Sequence, residues 1–193
     1  MASYYESKDR MIVAVDCIIL GIREGRLAVL LTNRGFEPMK GVASVMGGFV
    51  TNDESVDNAA KRVLRELTGI DNVFMRQVGA FGAVDRDPGA RVVSVAYCAL
   101  LDADKVPAQL LQEHNARWVT LPADSRIDDA MAEGTFPWLY FDHPLMISRA
   151  LHTLRRWTVT EPVIFELLPP RWTLTTLQNI SELILGEPLD KRN

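Results

Sequence analysis

The chain has 193 residues, 48% of them hydrophobic and 24% charged, with a formal net charge of -4. That is enough chain for one domain and a small appendage with a buried core, and no net basic charge advertises nucleic-acid binding. The polar start MASYYESKDR is no signal peptide, and Asp16 interrupts the one long apolar run, MIVAVDCIIL, so neither secretion nor membrane insertion is expected. Cys17 and Cys98 each lie in an apolar run and are read as buried free thiols of a cytoplasmic protein.

In chain order, residues 11–20 and 26–33 are rich in Val, Ile and Leu, and the polar stretch GIREG joins them into a hairpin of buried strands. A glycine-punctuated loop, NRGFEPMKGVASVMGGFV, follows. Val56, Ala59, Ala60, Val63, Leu64 and Leu67 then recur at spacings of three and four, which predicts an amphipathic helix over 55–68 with Ser55 as N-cap and Gly69 just past its end. Residues 72–83 and 91–101 read as two strands around the polar turn DRDPGA, and 116–121 as another. Asp142 is placed as the cap of a helix of about 14 residues, HPLMISRALHTLRR. Strands around one central helix with a closing helix imply a mixed-sheet α/β sandwich. Beyond Arg156, WTVTEP reads as a linker and PVIFELLPP as strand-like. TLTTLQNISELILG is a helix with Leu174, Leu177, Ile180, Leu183 and Ile184 on one face, Thr173 as cap and Gly186 as stop. Asp190 is placed to cap a further helix opening with Lys191, Arg192 and Asn193.

The stretch GFVTNDESVDNAAKRVLRELTGI resembles the Nudix box, G-x5-E-x7-R-E-U-x-E-E-x-G-U with U aliphatic. Gly48, Glu54, Arg62, Leu64, Glu66, Gly69 and Ile70 match, whereas Val63 and Leu67 stand where the pattern has glutamates. Positions 63, 66 and 67 share one helical face, where three carboxylates could gather divalent metal against a pyrophosphate. Here that face offers Glu66 alone. Glu54 and Arg62 can instead pair to fasten loop to helix, so Glu66 and Glu54 are read as catalytic remnants and Glu66 as a residual metal position. A second resemblance, AVDRDPGARVVSVAYCAL, is to Nudix proteins that recognise ADP-ribose and related nucleotide-sugars. It implies ligand-binding roles for Asp85, Arg86, Asp87 and Arg91. The competing reading is a solvated hairpin turn with internal ion pairs. Arg34 and Lys40 are further anion-binding candidates. His114, His143 and His152 have no metal-binding spacing and are read as caps or surface residues.

Together with the tail TEPVIFELLPPRWTLTTLQNISELILGEPLDKRN, the degenerate box resembles the Nudix-related transcriptional regulators. The resemblance implies a Nudix-type α/β/α sandwich over residues 1–157. It makes residues 158–193 the first part of a winged helix-turn-helix, with Lys191, Arg192 and Asn193 opening its DNA-reading helix. Its expected partners are a nucleotide-sugar or sugar effector, operator DNA and a second copy of the chain in a homodimer; no cofactor is required. That family continues through a complete recognition helix and wing, so residues 1–193 alone are expected to hold operator DNA poorly. The rival reading is a Mg2+- or Mn2+-dependent pyrophosphohydrolase of ADP-ribose-like substrates, with Glu66, Glu54 and an acid outside the box on the metal. A third reading is a metabolite-binding module with neither activity.

Overall fold

The computed structural model describes residues 9–122 and 139–189. Strands β1 (Ile12–Arg23) and β2 (Arg26–Asn33) form an antiparallel hairpin. Its loop is only Glu24 and Gly25, both at positive φ (50° and 70°), the two-residue turn whose twist suits flanking strands. Gly21, Ile22 and Arg23 of the expected turn are therefore strand. The glycine-rich segment, expected as loop, holds two short strands, β3 (Ala43–Ser44) and β4 (Met46–Phe49), too brief for a pattern to reveal. Then come α1 (Val56–Thr68), β5 (Phe74–Phe81), β6 (Val92–Leu100), α2 (Ala108–Glu113) and β7 (Ala116–Thr120). They are followed by α3 (His143–Thr160), a 3₁₀ segment (Pro162–Leu167) and α4 (Leu174–Leu185).

The sheet runs β3-β2-β1-β6-β5, with β4 added to β1 and β7 to β2; β1 and β6 are parallel and the other pairings antiparallel. Central β1 is buried on both faces, as its unbroken apolar run requires. Val15, Cys17 and Ile19 pack with Ala59, Ala60, Val63 and Leu64 of α1. Ile18 and Leu20 pack on the other face with Met146, Ile147, Leu151 and Leu154 of α3. This is the expected α/β/α sandwich. Cys17 and Cys98 are free and buried, and burial pushes the Cys98 thiol up to about 12, so neither is a ready nucleophile at neutral pH.

Helix α1 begins and ends where the sequence places it. The Ser55 side chain accepts from Asn58 N–H, and Gly69 closes the helix at φ 69° while donating to Arg65 O. Three expectations further along are corrected. Asp142 makes no side-chain cap hydrogen bond, because its carboxylate is engaged elsewhere. The supposed linker after Arg156 is helix: α3 runs 18 residues, through the boundary placed at 157/158. Buried Trp157, set edge-on to Phe74 at 6.0 Å, anchors that extra turn. PVIFELLPP is a 3₁₀ segment and not a strand; Pro162 opens it, and Val163, Ile164 and Leu167 are buried together.

Thr173 caps α4 as expected through its hydroxyl and Thr176 N–H, and Gly186 ends the helix at φ 75°. Of its apolar face, Ile180 and Ile184 are buried in the α3-side core and Leu177 and Leu183 pack against it, but Leu174 is 79% exposed. Asp190, Lys191, Arg192 and Asn193 lie outside the described residues. Because α4 shares the core of the sandwich, Ile184→Ala is expected to cost the whole fold about 2–4 kcal/mol. Urea unfolding followed by circular dichroism, as one transition, checks it.

Candidate functional site

The Nudix-like loop and helix are fastened by one guanidinium. Arg62 Nε donates to Glu54 Oε2 (3.0 Å) and Nη2 to Glu54 Oε1 (2.7 Å), a bidentate pair. The same Nη2 also donates to Phe49 O at 3.0 Å, and Nη1 lies 3.4 Å from Glu66 Oε2. Thr51 N–H adds a third donor to Glu54. The Arg62 hydrogen bonds, chiefly, hold the Glu54 carboxyl down at about 2, against an ordinary 4.5. So Glu54 is a brace, Arg62 its partner, and Glu66 is drawn to the same arginine.

The face that would gather metal is remade. Val63 is buried, and a Cβ added at Gly48 would meet Val63 Cγ2 at 2.7 Å, so the glycine and the valine fit each other closely. Leu67 is half-buried and lines the main cleft. Val63, Glu66 and Leu67 leave that face a single carboxylate, and no group of three His, Cys, Asp or Glu is positioned for a metal ion among the described residues.

The cleft, about 910 Å3, opens where β1 changes partners: Cys17 faces Met46 of β4, and Ile19 faces Leu30 of β2. The end of β2 and the Gly47-Gly48 pair therefore diverge and leave space between them. Gly47 has no room for a side chain, since a Cβ there would lie 2.2 Å from Asp16 Oδ1. Arg34 follows β2 with its backbone pinned by Arg34 N–H to Val42 O (2.9 Å) and Gly41 N–H to Arg34 O (2.8 Å). Its guanidinium lies 4.1 Å from the Phe36 ring centroid and 5.1 Å from that of Phe141, and its buried Nε has no hydrogen-bond partner among the described residues.

A buried charge cluster forms the floor. Arg86 Nε and Nη2 donate to both carboxylate oxygens of Asp142 at 2.9 and 2.7 Å, and Nη2 is 3.5 Å from Asp16 Oδ2. Ser94 Oγ donates to the same Asp16 oxygen at 2.6 Å. His143 is buried beside them, its Nδ1 without a hydrogen-bond partner among the described residues, and desolvation, opposed by Asp16 and Asp142, pushes its pKa below the usual histidine range.

The structure thus brings Arg34, Lys40, Gly48, Arg86 and Asp87 to one cleft. Asp87 Oδ1 accepts from Gly89 N–H and shapes the turn. Asp85 is exposed and is not among the cleft residues. The Arg91 guanidinium donates to Ala83 O at 3.1 Å and Gly82 O at 3.0 Å, stapling the loop. Lys191, Arg192 and Asn193 fall outside the described residues. The sequence reading missed Asp16, Ser94, Asp142 as an ion-pair partner and buried His143, which is neither cap nor surface. Asp16 had a visible signal: a lone carboxylate inside an apolar strand needs a buried cation.

A family model described as NUDIX domain matches residues 11–136, and one described as NrtR DNA-binding winged helix domain matches residues 164–193. The chain is 34% identical over 183 residues to the ADPR responsive transcriptional repressor NtrR of Acinetobacter baylyi, covering 94% of this chain and 69% of that protein. The crystal structure of Shewanella oneidensis NrtR superposes with a TM-score of 0.80 at 26% identity, covering 94% of this chain and 81% of that one. The same protein complexed with a 27mer DNA gives 0.77 at 26% identity, covering 93% and 78%.

Two outcomes follow from the box geometry. Val63→Glu would bury a carboxylate against Gly48 and is expected to cost roughly 3 kcal/mol or more, whereas Leu67→Glu, at the cleft wall, is expected to cost about 1 kcal/mol. Urea titration of each variant measures both. Glu54 titrates lower in the folded chain than in the unfolded one, so its stabilisation is complete above 4.5 and is lost as pH falls toward about 2. Thermal melts should therefore show a gap between the unaltered protein and Glu54→Gln that is constant at neutral pH and closes across that acid range.

Proposed function

The chain belongs to the NUDIX family, and from that premise we propose that it is a ligand-responsive transcriptional regulator whose Nudix-type domain senses ADP-ribose without cleaving it. The observation that carries the reading is a pairing within one chain. The box helix presents Val63, Glu66 and Leu67 where catalysis would want carboxylates, and residues 164–193 match a DNA-binding winged helix. A sensor keeps the cleft and dispenses with the metal face. One relative supports each half: the Acinetobacter protein is named for its response to ADPR, and the Shewanella protein is known bound to DNA.

The cleft suits such an effector physically. Its volume falls in the range of small-molecule sites, and its walls mix aromatic faces with fixed charge. Arg34, held between Phe36 and Phe141 with no carboxylate partner among the described residues, is the natural holder of a diphosphate; Lys40 adds a second cation at the rim. Asp87 and Asp16 supply acceptors for ribose hydroxyls. The regulator acts in the cytoplasm as a homodimer on a two-fold symmetric operator, and binds its effector without a divalent metal. No helix among the described residues is long and apolar enough to cross a membrane.

Calorimetry with ADP-ribose in the presence of EDTA tests the sensing half: saturable binding is expected, and Arg34→Ala should weaken it about tenfold or more. AMP release from ADP-ribose with Mg2+ or Mn2+ at roughly 1 s-1 or faster would sink the non-catalytic reading. A gel shift on DNA from upstream of the gene's own neighbourhood, with a chain extended past Asn193 and with and without ADP-ribose, tests the regulatory half. Effector that leaves retention unchanged would count against it.

A further inference from the structure

The buried Arg86–Asp142 pair occupies an unusual place in the chain. Asp142 sits at the cap position of α3, and capping is what an aspartate there ordinarily does: its carboxylate accepts from an amide of the first turn and meets the positive end of the helix dipole. Pro144 has no amide to offer, so the available donor is Leu145 N–H, and Asp142 does not take it. Both carboxylate oxygens are held instead by Arg86, a residue of the cleft wall with only 5% of its side chain exposed. The preceding residue, Phe141, is held at φ 59°, a left-handed conformation that is strained for an aromatic side chain, and its ring lies over Arg34 and His143.

Each carboxylate around Arg86 has another group within reach. Asp16 also accepts from Ser94 Oγ. Asp142, at φ -93° and ψ 17°, lies outside the extended region from which Ser55 and Thr173 cap their helices, so it reaches the start of α3 once that peptide turns. With that turn, Arg86 is free to face an anionic group in the cleft without leaving a buried carboxylate unpaired. The other end of α3 is tied to α4. Arg155 Nε donates to Ile184 O at 3.0 Å, and Leu151, Leu154 and Trp157 share a core with Ile180 and Ile184. Helix α4 lies inside the stretch matched by the winged-helix family.

We propose that the Arg86–Asp142 pair is a latch: an anionic effector in the cleft draws Arg86 away, Asp142 swings to cap α3, and the reseated helix carries the change to α4. The latch rests on the sensing function proposed above and gives it a route. Arg86 becomes a contact of the effector, Asp142 is a positioning residue, and the signal is a change of hydrogen-bond partner at one end of a rigid 18-residue helix.

Hydrogen–deuterium exchange of the full chain, with and without saturating ADP-ribose, reads this directly. In the unaltered protein, amide exchange across Leu174–Leu185 is expected to change about fivefold or more on effector binding, the scale of ordinary allosteric coupling. Asp142→Asn removes the charge that holds Arg86 yet caps helices well. Its effector-free exchange in α4 should already match that of the effector-bound unaltered protein, with less than about a twofold further response. Arg155→Met cuts the far end of the lever, outside the cleft. It should bind ADP-ribose with unchanged affinity by calorimetry, while its α4 response falls to about half or less. Should Asp142→Asn fail to fold, Arg155→Met reads the same lever. Full wild-type responses in the variants would overturn the latch and leave the sensor standing, as would ADP-ribose binding to the unaltered protein with no change in α4. If the unaltered protein does not bind ADP-ribose at all, the sensing function and the latch fall together.

Discussion

Burial of β1 on both faces is the constraint from which the rest of the structure follows. A strand with Val15, Cys17 and Ile19 on one side and Ile18 and Leu20 on the other must be covered twice. Helix α1 covers one side and α3 the other, and neither can be lost without exposing a row of large aliphatic side chains. The same strand also carries Asp16, the one charge the arrangement must accommodate at its centre. A carboxylate there is tolerable only with donors around it, and Ser94 and Arg86 supply them. In turn Arg86 needs Asp142, which brings the start of α3 to the cleft floor. Site and scaffold are thus linked by the need to satisfy one buried charge.

The box helix separates the residues that hold loop and helix together from the positions where the Nudix pattern has carboxylates. Gly48, Glu54, Arg62 and Gly69 keep the bend, the brace and the stop, and each does so by a contact within the chain. The positions that differ are those whose carboxylates would have faced metal and substrate. Val63 has become core, which removes any freedom to lengthen Gly48, and Leu67 has become cleft wall. Apolar side chains at these two positions avoid the cost of clustered negative charge and add buried apolar surface. What remains is a pocket with cationic and aromatic walls, next to a helix long enough to reach the DNA-binding segment.

Much of this was legible in the chain itself, and for definite reasons. The α1 helix, its Ser55 cap and its Gly69 stop are local events written in local spacing, as are the capped helix Leu174–Leu185 and the strands of the hairpin. The resemblance to the Nudix box implies that Glu54 and Arg62 pair, and the structure pairs them. Short β3 and β4 escaped notice because two to four residues hold no periodicity. Asp142 and WTVTEP were misread because local rules place a cap and a linker there, while distant partners decided otherwise: Arg86, 56 residues away, took the cap's carboxylate, and Trp157 anchored the extra turn.

The sequence by itself determined the layered fold, the retained brace of Glu54 and Arg62, and the loss of carboxylates at 63 and 67, because each of these depends on side chains a few residues apart or on one helical face. Only the tertiary structure decided what the charged DRDP segment does. It sent Arg86 inward to Asp142 and Asp16, turned Arg91 onto backbone carbonyls, left Asp85 in solvent, and set Arg34 between Phe36 and Phe141. Those outcomes turn on which buried charges meet across strands and helices far apart in the chain, and no spacing along the sequence encodes that meeting.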